Sequence, residues 1–138
     1  MSESFLNWAA GFFGGKGHAS IQVNKDTGHY QIAVVVINND LEPIELFHST
    51  WGGRLEHKKN TYRSKHGEMK RGKVSHRVAF RMGEGKKLLE DLLPYFRTKD
   101  KRETAIIVLE AIKFPEKRGE LYKRLHGLET YRSVDREK

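Results

Sequence analysis

The 138-residue chain contains no cysteine, and this absence removes several classes of functional site. Disulfides, thiolate-ligated metals and a cysteine nucleophile are all excluded. A chain without cysteine suits a reducing compartment, so we expect a cytoplasmic protein, or an organellar or nucleoid-associated one if the source is eukaryotic. The length permits one buried core without covalent staples but not two independent cores.

Long hydrophobic runs are also lacking. No stretch approaches the roughly 18 to 20 apolar residues of a membrane span. The first twenty residues have neither the basic start nor the continuous apolar segment of a signal peptide. We therefore expect a soluble protein with no membrane partner.

Positive charge is what the chain has in excess, with a formal net charge of +8. Between Arg54 and Arg77, nine Lys and Arg residues accompany only two Glu residues, so most of the surplus lies in one segment. Such a cluster would repel itself without a counter-ion, which favours a nucleic acid over a simple solvated face. An acidic membrane is a weaker alternative because the segment has no amphipathic helical pattern.

Periodicity in the first half predicts a helix, two strands and a second helix. Helical spacing from Phe5 to Phe13 predicts a first helix that ends at the following glycines. Alternation from Ala19 to Val23 and a β-branched run from Tyr30 to Ile37 predict a hairpin, with the second strand covered over much of both faces. The second helix begins near Leu41 and directs three residues towards the core: Ile44, Phe47 and His48.

The second half is predicted to contain a further hairpin followed by helices. Its strands are expected at Arg54 to Lys58 and Val74 to Met82, joined by a basic connection. Three helical patterns then follow, the last of them after Pro115. Their expected apolar positions are Leu88, Leu89, Leu92, Leu93 and Phe96, then Ile106, Leu109 and Ile112, then Leu121, Tyr122, Leu125 and Leu128.

The segment from Trp8 to Gly17, with the sequence WAAGFFGGKG, suggests a phosphate-binding loop but does not satisfy one. A Walker loop requires a glycine where this chain has Ala10, and a Ser or Thr where it has Gly17. No strand precedes these glycines to support a dinucleotide-binding fingerprint.

This segment and the element order after it resemble the single-motif LAGLIDADG homing endonucleases, whose signature helix often reads Ala-Gly-Phe-Phe-acid-Gly-acid-Gly. The Gly52-Gly53 pair and the stretch from Leu92 to Phe96 extend the resemblance over roughly 4 to 114. It implies an α/β (α+β) fold of order αββαββα, with a four-stranded antiparallel saddle-shaped sheet backed by helices. Residues 1–114 would form this domain, and 115–138 the C-terminal helix and tail of the same domain.

The resemblance further implies a homodimer that lays its strands along the major groove of a pseudo-palindromic double-stranded DNA site. The residues expected at the dimer interface are Trp8, Ala10, Gly11, Phe12, Gly14 and Gly15. Those expected to face the bases are Ser20, Gln22, Asn24, Arg54, Glu56, Lys58, Ser75, Arg77 and Arg81. Those expected to contact phosphates are Lys59, Arg63, Lys65, Lys70, Arg71 and Lys73.

The chain departs from the family at the residues that hold metal. Members that cut DNA place an acid just before the final glycine of the motif, where this chain has Lys16, and the earlier acidic position is Gly14. An ammonium group has no lone pair with which to ligate Mg²⁺. Asn38 matches a polar active-site position, and the seven histidines show no paired ligand spacing beside a carboxylate.

We therefore predict a sequence-specific DNA-binding protein that is deficient in cleavage and needs no cofactor, with Mg²⁺ relevant only if cleavage is retained. Two alternatives stay open. One is an active site-specific homing endonuclease with an altered metal site. The other is an RNA-binding, intron-associated maturase, which ranks lower because the strands offer no aromatic platform for stacked bases.

Overall fold

The computed structural model describes the backbone of residues 1–63, 65–67 and 69–137, and the side chains of 1–59, 65–67 and 72–128. Its helices and strands follow the predicted order, with short 3-10 turns at Leu93–Tyr95 and Pro115–Lys117. The elements are α1 (Glu3–Lys16), β1 (Gly17–Val23), β2 (Tyr30–Asn38), α2 (Leu41–Trp51), β3 (Arg54–Arg63), β4 (Met69–Phe80), α3 (Met82–Leu92), α4 (Lys99–Lys113) and α5 (Arg118–Glu137).

The strands form one antiparallel sheet of order β1-β2-β4-β3. Each hairpin supplies two neighbouring strands, and β2 and β4 join the hairpins at the centre of the sheet. The predicted α+β fold with a four-stranded antiparallel sheet is confirmed.

One face of the sheet packs against the helices. Val34, Val36, Val78 and Phe80 of the central strands are buried there. They share one hydrophobic cluster with α1 to α5, including Leu121 and Leu125 of the last helix. The prediction that β2 is covered over much of both faces is only partly right, because on the other side Ala33 and Val35 are half-buried while Ile37 is 43% exposed.

Helix α1 extends beyond its predicted end. Ser2 caps its start, with Ser2 Oγ accepting from Phe5 N at 3.1 Å. The helix then continues through the glycines to Lys16, and the amide of Gly17 donates to Phe13 O. Packing of Ala9, Ala10 and Phe13 against the core holds these glycines in a helix despite their low propensity.

The β3–β4 hairpin is longer than predicted, and the predicted basic connection is mostly strand. β4 pairs with β2 only from His76 to Phe80, so beyond His76 it pairs with β3 alone. The sequence gives no signal for this extension because its polar and basic residues show no hydrophobic alternation. Met82, which was predicted to end the strand, is instead the first residue of α3.

In α4 the predicted apolar stripe is also partly wrong. Ile106 is 44% exposed, whereas Ala105, Ile107, Val108 and Leu109 are buried. The helix contacts α3 on one side and both α5 and β1 on another, so a wide arc of its surface is covered and Ile106 lies outside that arc. In α2, Trp51 is buried with Ile44 and Phe47, while His48 is only half-buried.

No helix in the described part of the chain is long and apolar enough to cross a membrane.

Candidate nucleic-acid interface

We call the side of the sheet that faces away from the helices the outer face. Directly opposed residues of antiparallel strands share a face, so the strand register assigns its members. Gln22 pairs with Gln31, Ile37 with Arg77, and Arg77 with Glu56. The full set comprises His18, Ser20, Gln22, Gln31, Ala33, Val35, Ile37, Arg54, Glu56, Lys58, Ser75, Arg77 and Ala79.

Six of the nine predicted base-facing residues lie on the outer face, and their side chains are exposed or half-buried. Gln22, Arg54, Lys58 and Arg77 are exposed, while Glu56 and Ser75 are half-buried. Arg54 Nε lies 3.2 Å from Glu56 Oε1, and the Arg54 side chain remains 82% exposed. An exposed pair of this kind is weak, so Arg54 can exchange this partner for another anion.

Three predicted base-facing residues are placed otherwise. Ser20 belongs to the outer face by register, but it is only 6% exposed and its Oγ has no hydrogen-bond partner among the described residues. Asn24 lies beyond β1 in the hairpin turn, where its Oδ1 accepts from Asp26 N at 2.9 Å. Arg81 lies beyond β4 and caps the start of α3. The expectation that these three stand as exposed strand residues is wrong.

The outer face also has members that the sequence reading missed. Gln31 is exposed, and Ala33, Val35 and Ile37 form an apolar strip along β2. Period-two alternation from residue 30 to 37 is enough to place these four residues on one face of β2. The continuous run of β-branched residues argues against an exposed face, because such a run is typical of a strand buried on both faces.

We call the two-stranded part of the β3–β4 hairpin, residues 58–75, the basic ribbon. It carries seven Lys and Arg residues against one Glu, a formal net charge of +6 of the chain total of +8. Lys58, Lys59, Lys65 and Lys73 are exposed, and alternation places Lys59 on the opposite side from Lys58. The predicted phosphate contacts Arg63, Lys70 and Arg71 have side chains outside the described residues.

Glu84 of α3 links the start of that helix to the residue just before β3 through two hydrogen bonds. Its Oε1 accepts from Arg81 N and its Oε2 accepts from Gly53 N, both at 2.9 Å. Gly53 adopts φ +89°, and a Cβ there would lie 2.6 Å from Val78 Cγ1. The Arg81 and Gly53 amides, with the positive charge of Arg81, hold the pKa of the Glu84 carboxyl below its ordinary value.

We expect Glu84→Gln to lower the free energy of unfolding at neutral pH and to have a smaller effect in acid. A lowered folded-state pKa contributes stability above the unfolded-state pKa of about 4.3, and this contribution disappears as pH falls through the folded-state value. Urea denaturation of both proteins from pH 7 to pH 3 measures the difference. Glu45→Gln, at an exposed position of α2, is the control for the loss of a surface carboxylate. A constant gap for Glu84→Gln across the pH range would contradict the assignment.

The tip of α1 does not fit a divalent metal. Its last residue, Lys16, is exposed, and the one acid of α1 is Glu3 at the opposite end. Asn38 is half-buried at the end of β2, and its Oδ1 accepts from Asn39 N at 2.9 Å. Across the described side chains, no group of three or more His, Asp or Glu residues could hold a metal ion.

One side of α1 borders an open groove of about 570 Å³. A Cβ added at Gly11, Gly14 or Gly15 would meet no other atom of the described chain within 4 Å. Trp8 is 39% exposed beside them, whereas Ala10 is only 2% exposed and already packs within the chain. The groove is lined by Asn7, Trp8, Ala10, Gly11, Phe12, Gly14, Tyr95, Phe96, Arg97, Thr98 and Lys101.

The sequence matches no protein-family model and no curated protein. Among solved structures, the chain is similar to the LAGLIDADG meganuclease I-AabMI bound to uncleaved DNA, with a TM-score of 0.54 and 21% identity over 86% of this chain and 39% of that one. It is also similar to a mutant of I-SmaMI, with a TM-score of 0.50 and 18% identity over 86% of this chain and 40% of that one.

The chain thus spans about two fifths of the length of these neighbours. It has the fold of a LAGLIDADG meganuclease, and the predicted resemblance to that family is confirmed at the level of the fold.

Proposed function

We propose that the protein is a homodimeric, sequence-specific double-stranded DNA-binding protein of the LAGLIDADG homing endonuclease family that has lost metal-dependent cleavage. The observation that carries this proposal is the outer face, which exposes Gln22, Gln31 and Arg77 and continues into the basic ribbon. The similar fold of I-AabMI, a meganuclease seen bound to DNA, supports the same use of this face.

Charge on the basic ribbon supports binding to the DNA backbone. Its formal charge of +6 is concentrated on two strands and their turn. Lysine and arginine that neutralise phosphates release condensed counterions, and this release drives affinity at low salt. The ribbon would therefore provide affinity without selecting a sequence.

Side chains of the four-stranded part support base recognition. Gln22 and Gln31 lie opposite each other, and each carries an amide that can pair with an adenine edge. Arg77 can pair with guanine in a bidentate manner. Ile37, in register with Arg77 and 43% exposed, offers an apolar contact of the kind a thymine methyl group accepts.

The glycines of α1 support a homodimer. Gly11, Gly14 and Gly15 have ordinary helical backbones and open space around them, so the single chain gives no reason for glycine there. Glycine does allow the close approach of another backbone. The neighbouring structures leave about three fifths of their length unmatched, enough for a second copy of this fold.

Loss of cleavage rests on the chemistry at the tip of α1. In the proposed dimer, two Lys16 ammonium groups would lie near the seam where the family places acids. They would repel Mg²⁺ and could contact phosphates there instead. No step of metal-dependent hydrolysis is assigned to these residues.

We expect binding to selected duplexes to weaken steeply with salt, and two variants to separate its components. Arg77→Ala should relax base preference at one position by about 1–3 kcal/mol. Lys65→Ala, at the exposed turn of the ribbon, should weaken all sequences alike and reduce the salt slope by about one per chain. Selection from random duplexes followed by anisotropy titrations at several salt concentrations measures both.

Three outcomes of this experiment would contradict the proposal. An affinity that does not change with salt concentration would contradict contacts between the basic ribbon and DNA phosphates. Stronger competition by structured RNA than by duplex DNA would favour the maturase alternative, because A-form RNA has a major groove too narrow for strands. Cutting of the selected duplex in Mg²⁺ or Mn²⁺ would favour an active endonuclease.

A further inference from the structure

His57 of β3 and His76 of β4 form a close pair of imidazoles. They are directly opposed in the strand register and lie on the helix side of the sheet, with His57 exposed and His76 half-buried. Their Nδ1 atoms are 2.7 Å apart, and their ring planes meet at 78°. Nineteen residues separate them in the chain, so the sequence shows no ligand spacing.

This pair lies at the base of the basic ribbon. His76 is opposed by Asn38 on its other side, and this is the last pairing between β2 and β4. Beyond it, β3 and β4 continue as a ribbon held only by each other. Two isolated strands are marginally stable in water, so a cross-link at this row would strengthen the ribbon.

The two nitrogens can converge in two ways. Either one Nδ1 carries a proton and donates it to the other, or both protons reside on Nε2 and each Nδ1 has a lone pair available to a ligand. The second arrangement is that of a chelating pair, and neutral imidazole is a frequent metal ligand. His57 is exposed, so water can reach the remaining coordination positions.

We propose that His57 and His76 bind one divalent transition metal ion of the Cu²⁺ or Ni²⁺ class. The two rings meet almost head-on, because the Nδ1 atoms are 2.7 Å apart and the ring centroids 4.9 Å apart, which is the arrangement of a direct N–H···N hydrogen bond. On metal binding both rings would turn so that their Nδ1 lone pairs meet at the ion. Cu²⁺ and Ni²⁺ are expected because they bind nitrogen ligands more tightly than the earlier divalent metals of their row.

Metal at this row would connect β3 to β4 where the basic ribbon leaves the sheet. This role is separate from metal-dependent cleavage, which the tip of α1 does not support. It also does not depend on DNA binding, so the inference and the proposed function can be tested separately.

The test is calorimetric titration of the tag-free protein with Ni²⁺ and with Cu²⁺, in the absence of DNA. We expect one ion per chain, and a loss of affinity of roughly tenfold or more in His57→Ala and in His76→Ala. His29→Ala, in the exposed β1–β2 turn, is the matched control and should bind as the wild type does. Circular dichroism of each variant verifies folding.

A second readout is the melting temperature, which Ni²⁺ should raise in the wild type and in His29→Ala but not in His57→Ala. Equal metal affinity in the wild type and the His57 and His76 variants would overturn the proposal. No binding to the wild type would overturn it equally, and would assign the contact to a direct hydrogen bond.

Discussion

Replacing Gly11 with leucine is expected to convert the protein from a dimer to a monomer and to weaken DNA binding by roughly 10²- to 10⁴-fold. The position is exposed and borders an open groove of about 570 Å³, and apart from chain neighbours and the helix's own backbone no described atom lies within 4 Å of an added Cβ, so the single chain leaves room for a larger side chain. In a dimer it would separate the two helices. DNA affinity would fall because a monomer contacts only one half-site. In a dimer, binding of one subunit raises the effective concentration of the other at the second half-site, and a monomer lacks this gain.

Sedimentation and anisotropy titration on the same preparation measure the two effects. Gly127 of α5 provides a matched control, since it is also an exposed helical glycine with open space around its Cα. Gly127→Leu should gain up to about 0.8–1 kcal/mol in unfolding free energy from the better helix former, whereas in Gly11→Leu loss of the dimer would offset this gain. A dimer that persists with Gly11→Leu, or a monomeric Gly127→Leu, would contradict an interface at α1.

The sequence predicts the elements that pack on the core, and the reason is periodicity. Helix α2 exposes one face and buries the other, so its apolar spacing indicates both type and orientation. The basic ribbon lacks this information. Its strands pair with each other, and its sequence has no apolar alternation, so a basic stretch that reads as a connection is mostly strand.

Site residues could be predicted where alternation along one strand determines which face of the sheet they occupy. They could not be predicted where the pairing register of two strands brings them together. Arg54, Lys58 and Arg77 follow from alternation alone. The approach of His57 and His76 depends on which residues of two distant strands become opposed, and the length of the intervening hairpin had been underestimated. Arg81 was assigned to the strand for another reason: the alternation continues through it, whereas β4 ends one residue before it and the Glu84 carboxylate accepts a hydrogen bond from its amide at the start of α3.

Sequence reasoning also ended α1 too early, because it weighed glycine propensity without the tertiary contacts. Glycine costs about 1 kcal/mol relative to alanine in a helix interior. The buried aromatic ring of Phe13, one turn before Gly17, lies 6.2 Å from the ring of Phe96 and ties the end of α1 to the core. That packing outweighs the low helix propensity of the glycines, so the helix continues to Lys16.

Phe47→Ala is expected to produce the largest loss of stability, about 3–5 kcal/mol of unfolding free energy. The side chain is fully buried, and its ring centroid lies 5.2 Å from that of Trp51, 5.6 Å from Phe12 and 5.9 Å from Trp8. Truncation would leave a cavity among these rings. Since small domains have a total stability of about 5–15 kcal/mol, urea midpoints should fall sharply. Leu46→Ala is the control.

Leu46 neighbours Phe47 on α2 but is 42% exposed, so its truncation should change the unfolding free energy by no more than about 0.5 kcal/mol. Equal losses in the two variants would show that α2 does not bury the face described.

The aromatic cluster also has a role beyond stability, because Trp8 and Phe12 belong to α1 while Phe47 and Trp51 belong to α2. These contacts position α1, so the glycine face that is proposed to form the dimer depends on the same rings that stabilise the fold.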